Sequence, residues 1–165
     1  MGLFSSKKKV SVDDIAMQAT LTAVDVIGKA KNFEDVDDTK AISLSIGYFY
    51  GFLKLHLNSI TRLDTVNLIV EKSIANLENA TRGKTEYANL GHMVRISSEN
   101  ALKSMENEMK KRSENPFLGV ATDYLIELYN NPPSIGVDKL LTIVENMQLL
   151  YGTTSNLTKD IKIVN

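Results

Sequence analysis

Across residues 41–57 the chain shows almost no polar interruption: Ala-Ile-Ser-Leu-Ser-Ile-Gly-Tyr-Phe-Tyr-Gly-Phe-Leu-Lys-Leu-His-Leu. Wound at ~100° per residue, this stretch is apolar over most of its circumference. A narrow strip carrying Ser43, Gly47, Gly51, Lys54 and Asn58 is the exception. A helix that is greasy nearly all round must be covered nearly all round. The pattern therefore predicts a central helix over about 39–61, wrapped by its own chain or shared with a second copy. Glycine inside a helix costs ~1 kcal/mol against alanine, so Gly47 and Gly51 imply a close approach of another backbone. Gly47, Tyr48, Tyr50 and Gly51 are accordingly expected at a helix-packing surface or a dimer seam.

The flanking segments read as shorter amphipathic helices. Ser11 and Asp14 resemble a capping box, followed by Ile15, Ala19, Leu21, Thr22, Val26 and Ile27 at helical spacing, fading near Lys31. Asp64 or Thr65 is the expected cap of a third helix with Val66, Ile69, Val70, Ile74 and Leu77 inward, and Gly83 lies just past its end. A fourth runs over about 85–113, its outer side laced by Glu99→Lys103, Glu106→Lys110 and Glu108→Arg112. Asn115-Pro116 stops one helix and starts another, since proline suits the first helical position. The fifth carries Val120, Tyr124, Leu125 and Leu128 up to Asn130–Pro133. The sixth covers about 136–151, with Gly152 as its stop. No alternating strands precede residue 153. The expectation is a single all-α domain: a bundle of about six helices around the central one. It has a flexible basic tail at 1–10, a helical body at 11–152, and a C-terminal tail at 153–165 forming a short helix or a strand.

Composition changes this picture little. At 165 residues, 43% hydrophobic and 24% charged, the chain fits one folded domain rather than a disordered one. A net charge of −1 argues against a nucleic-acid partner. The absence of cysteine excludes thiolate catalysis and cysteine metal sites, and fits a cytoplasmic protein. Ser11, Asp13 and Asp14 follow the basic N-terminus too soon for a secretion signal. The 41–57 run is too short and too interrupted for a transmembrane span.

Candidate chemistry is sparse. His56 falls among the apolar positions of the central helix and His92 at the margin of the fourth. Leu53 and Asn89 stand three residues before them, so the Glu-x-x-His pairs of di-metal bundles do not form. No metalloprotease, phosphate-loop, dinucleotide or nucleophile-elbow motif is found. No catalytic residue, metal or cofactor is assigned. The stretch Glu34, Asp35, Asp37 and Asp38 precedes the central helix, where acids favour the positive end of its dipole and where a basic partner would also be met.

Met1-Gly2-Leu3-Phe4-Ser5-Ser6 matches the acylation pattern, and Lys7, Lys8 and Lys9 supply the basic patch a single acyl chain needs for attachment. The leading reading is a non-enzymatic helical module that binds, and regulates or neutralises, another protein. That partner is basic and meets Glu34, Asp35, Asp37 and Asp38; self-association as a homodimer is the companion expectation. One alternative is a peripheral protein of the cytoplasmic membrane face, held by Gly2, Leu3, Phe4 and Lys7–Lys9. The other is a small-ligand-binding helical protein with a cavity beside Tyr48, Tyr50 and His56.

Overall fold

The computed structural model describes residues 7–29, 37–130 and 135–164. Within them the architecture is all-α. The order is β1 (Lys8–Ser11), α1 (Val12–Lys29), α2 (Asp38–Asn58), α3 (Leu63–Ala80), a 3-10 turn (Thr85–Tyr87), α4 (Leu90–Lys111), α5 (Pro116–Tyr129), α6 (Val137–Thr158) and β2 (Ile161–Val164).

α2 is the centre. Every residue from Ile46 through Lys54 is buried within the single chain. Its most extensive partner is α4, then α6, with α1, α3 and α5 completing the wrap. Gly47 and Gly51 face α4 of the same chain. A Cβ at Gly47 would lie 2.3 Å from the Ser97 Cβ, and one at Gly51 would lie 2.6 Å from both the Ala101 Cβ and the Ser98 carbonyl oxygen. Small side chains on both helices thus bring the two backbones together, which offsets the propensity cost of the glycines. Tyr48, Tyr50, Gly47 and Gly51 are all enclosed by this chain, with both glycines at a helix-packing surface against α4.

Several boundaries differ from the sequence expectation for local reasons. Lys8–Val10, expected in the flexible tail, form β1, which pairs in parallel with β2 in the register Lys8↔Ile161, Lys9↔Lys162, Val10↔Ile163 and Ser11↔Val164. Val10 and Ile161 are buried beneath it, and that burial supports a ribbon too small to stand alone. Ser11 ends β1 and caps α1: its Oγ accepts from the Asp14 N–H at 3.1 Å and donates to Asp14 Oδ2 at 2.7 Å. α3 starts earlier than expected, with Arg62 rather than Asp64 or Thr65 at its N-cap, because the Arg62 carbonyl already accepts from the Val66 N–H. α6 runs through Gly152 to Thr158. A lone glycine is a modest cost in a helix, not a stop. The chain turns instead at Asp160, which adopts φ +56 and whose carbonyl accepts from the Lys8 N–H at 2.9 Å.

The expected ion pairs on α4 are redrawn by burial. Glu99 turns away from Lys103 to Lys54 of α2, whose side chain is only 11% exposed. A nearly buried ammonium needs a counter-charge far more than a solvated one does. Glu108 pairs with Lys111 at 2.8 Å and accepts from the Ser113 hydroxyl at 2.6 Å, rather than meeting Arg112. Arg112 takes the left-handed cap of the helix.

Candidate functional site

Of the residues singled out from sequence, Gly2, Leu3, Phe4, Glu34 and Asp35 lie outside the described residues. Asp37 caps α2, its Oδ1 accepting from the Thr39 N–H at 2.9 Å, and Asp38 is exposed in the first turn. Lys7, Lys8 and Lys9 are exposed at the start of β1. His92 is exposed on α4. His56 is half-buried with its ring 4.5 Å from that of Tyr151, and burial lowers its pKa against a raising hydrogen bond to the Tyr151 backbone. Its Nε2 finds no hydrogen-bond partner among the described residues. Among the described residues no group of three or more acidic or histidine side chains is placed to hold a metal ion.

The aromatic cluster is packing with polar anchors. The Tyr48 ring meets Tyr124 edge-on at 5.1 Å, and its hydroxyl donates to Glu127 Oε1 at 2.7 Å. Burial and the adjoining carboxylate push the Tyr48 phenol far above its ordinary range. The Glu127 carboxyl is itself raised, burial outweighing the hydrogen bonds from Tyr48 and Asn100. Tyr124 shares a hydrogen bond of 2.9 Å with Ser45 and is pushed up to about 12, chiefly by burial. Tyr50 points its hydroxyl at Thr20 and Ser73 without a bond of good geometry, and burial raises it too. Thr20 and Ser73 are meanwhile engaged with carbonyls across the α1–α3 seam.

The surface with binding character lies elsewhere, on α1 and at its C-terminal end. Met17, Leu21 and Val24 recur at helical spacing and are 49%, 63% and 57% exposed. At ~100° per residue they and Gly28 fall within one narrow stripe, with Asp14 and Asp25 along one edge. The stripe leads into a cleft of about 400 Å³ lined by Val24, Ile27, Gly28, Ile42, Ile46, Leu77, Thr81, Lys84, Tyr87 and Leu90. That volume lies in the range of about 300–1,000 Å³ typical of ligand pockets.

Local chemistry explains how the cleft is built. α1 and α3 end there while α2 and α4 begin there, so four helix ends meet. Gly83 takes φ +85, a conformation that needs no Cβ, and turns the chain so that Lys84 and Tyr87 form the rim. A side chain added at Gly28 would meet nothing within 4 Å, consistent with open space at that wall. Asp37 and Asp38 lie one turn ahead of Ile42, so acids stand close in sequence to the cleft wall.

A second, polar groove of about 280 Å³ separates α4 from α5, lined by Asn100, Lys103, Ser104, Asn107, Asp123, Ile126 and Glu127. Ser104 donates to Asp123 Oδ2 at 2.5 Å. The pair Asp123/Glu127, four apart on α5 and facing Asn100/Ser104 four apart on α4, was visible as a spacing but carries no motif. Sequence spacing grouped Leu21 with Ile15, Ala19 and Val26, but the structure turns it outward, 63% exposed, onto a stripe with Met17 and Val24. That stripe is obscured in sequence because the buried face of α1 is apolar as well. Comparison with protein families, with curated proteins and with solved structures finds no match to this chain.

Proposed function

We propose that the protein is a helical binding module whose partner is a protein bearing a basic amphipathic helix. In this reading the partner helix lies along the α1 stripe and seats a bulky apolar side chain in the cleft. The observation that carries the proposal is the row Met17, Leu21 and Val24, large apolar side chains 49–63% exposed on one line and continuous with an apolar cavity. Covering each would contribute about 1 kcal/mol, roughly half of a full burial. The pocket supplies the anchoring point around which interfaces concentrate their energy. Asp14, Asp25, Asp37 and Asp38 near this surface favour a partner with lysine or arginine beside its apolar face.

The test is affinity capture from the native cell with the wild-type chain and with Leu21→Asp, followed by direct titration of the captured partner. Leu21 is exposed, so the substitution leaves the melting temperature within a degree or two while weakening the partner at least tenfold. Asp25→Lys and Asp38→Lys weaken it further and flatten its salt dependence, because charge reversal removes the attraction that salt screens. Identical partners and affinities for wild type and Leu21→Asp would remove the proposal.

A further inference from the structure

The two ends of the chain meet in the β1–β2 ribbon, and that meeting assembles a charge patch that neither end holds alone. Residues 7–11 and 159–164 carry five lysines, Lys7, Lys8, Lys9, Lys159 and Lys162, against one acid, Asp160. All five are exposed. Parallel pairing sets Lys9 directly beside Lys162, and registered neighbours project from the same face of a sheet, on strands ~4.8 Å apart. Val10 and Ile161 are buried on the core side, so Lys9 and Lys162 look outward together, with Ser11 and Val164 beyond them. Lys159 precedes Asp160, whose carbonyl bonds the Lys8 amide. Among the described residues, no ion pair joins any of the five to an acid, whereas nearby Asp13 is bridged to Lys72 at 2.6 Å and Asp14 holds the Ser11 hydroxyl. Like charges side by side on a ribbon destabilise it, and an external anionic surface would offset that cost.

We infer that the outward face of this ribbon docks on an anionic phospholipid bilayer. The chain is −1 overall, so its remainder is acidic. The acids Asp37 and Asp38 follow the far end of α1, and that helix of 18 residues is about 27 Å long. At physiological salt the screening length is ~8 Å. A plane that touches only the basic pole is therefore attracted without feeling the acidic pole, whereas a polyanion that wraps the body would meet both. Lysine suits such a surface: a hydrated point charge on a long stem adheres to headgroups without fixed geometry. The inference does not depend on the partner proposed for the cleft.

The experiment is co-sedimentation of the full chain, prepared without acylation, with vesicles of phosphatidylcholine alone and of two parts phosphatidylcholine to one of phosphatidylserine. Binding is expected to the anionic vesicles, to fall steeply with salt, and to be negligible on the neutral ones. Lys162→Gln and Lys159→Gln each lower the partition coefficient about fivefold and together about 25-fold, as much per charge as Lys9→Gln. Each variant is checked for a wild-type melting curve, which exposed lysines should retain. Three results would overturn the inference: equal binding to neutral vesicles, binding insensitive to Lys159 and Lys162, or tighter lysine-dependent binding of a single-stranded RNA at the same salt. The second would mean that the N-terminal lysines act as a simple tail, without the ribbon.

Discussion

Replacing Gly51 with alanine tests the α2–α4 contact most directly. In an open helix the change would stabilise by ~1 kcal/mol through propensity. Here the new Cβ would stand 2.6 Å from the Ser98 carbonyl oxygen, 2.6 Å from the Ala101 Cβ and 3.0 Å from the Leu102 amide nitrogen. Two of those three atoms are backbone, so relief requires α4 as a whole to move. Overpacking of this kind costs about 1–3 kcal/mol, and the backbone contacts put Gly51→Ala at or above the upper end. Net of propensity, the expected loss is about 2 kcal/mol, or a melting temperature lower by roughly 4–8 °C at this chain length. At Gly47 the nearest atom is the Ser97 Cβ at 2.3 Å, while the next two, the Val94 oxygen and the Ser97 carbonyl carbon, stand at 3.2 and 3.3 Å. Ser97→Gly should therefore rescue most of Gly47→Ala, whereas Ala101→Gly should rescue little of Gly51→Ala. Gly152→Ala is the control: nothing lies within 4 Å of its added Cβ, and it should raise stability by up to ~1 kcal/mol. Urea unfolding of the five variants and the wild type reads all of these signs. If Gly51→Ala proved as stable as Gly152→Ala, the close approach of α2 to α4 would be wrong.

Other consequences can be measured on the same material. His56 has a depressed pKa from burial, so the unfolded chain binds its proton first as pH falls through about 6.5. Its contribution to stability is complete above that value and is lost on acidification, so the urea midpoint should drop between about pH 7.5 and about pH 5.5, and His56→Asn should flatten that drop. Glu127 acts in the opposite sense: its raised pKa favours folding at acid pH and withdraws that benefit as pH rises past about 4.5, so Glu127→Gln should gain relative to wild type on the alkaline side. Glu99→Ala leaves the shielded Lys54 ammonium without its partner and should cost about 1 kcal/mol or more by denaturant titration, while Lys54→Met should be close to neutral. Truncation after Asp160 removes β2 and exposes the Ile161 and Val10 sites, and should cost about 2 kcal/mol in the same assay.

The central helix was legible because its signal is one of circumference: apart from the narrow strip through Gly47, Gly51 and Lys54 it is apolar all round, and such a helix has to be covered on nearly all sides. What the circumference did not specify is who does the wrapping. The sequence allowed a second copy as readily as α4, and the choice rests on the small residues Ser97, Ser98 and Ala101, which read in isolation as ordinary helix surface. The ion pairs failed for a related reason. Local spacing favours Glu99 with Lys103, but a three-dimensional demand from the nearly buried Lys54 outweighs a few tenths of a kcal/mol from an i,i+4 pair. The N-terminal strand was missed because Lys8–Ser11 has partners only at residues 161–164, more than 150 positions away. Its hydrophobic content, Val10 alone at the buried position, is too small to announce a strand.

Residues 48–54 of α2 are enclosed by its own chain while Ile42 and Ile46 reach the cleft, so on the binding reading proposed above most of the weight falls on α1. That helix carries two apolar faces. One holds Ile15, Ala19, Ala23 and Val26, fully consumed by the core, and the other holds Met17, Leu21 and Val24, left open. It also joins the basic ribbon at its N-terminus to the cleft at its C-terminus. On the two proposals together, a bilayer at one end and a partner helix along the outer stripe would occupy different parts of α1, whose ends are about 27 Å apart. Asp14 touches both surfaces through its hydrogen bonds with Ser11, but Leu21 lies about 14 Å along α1 from its first residue, and sites separated by more than about 10 Å are additive to within about 0.5 kcal/mol. Leu21→Asp should therefore leave vesicle binding unchanged, and Lys162→Gln should leave partner affinity unchanged. Coupling between the two would mean that α1 itself moves as one binding event follows the other, which a helix locked to α3 by Thr20, Ser73 and Asp13–Lys72 resists.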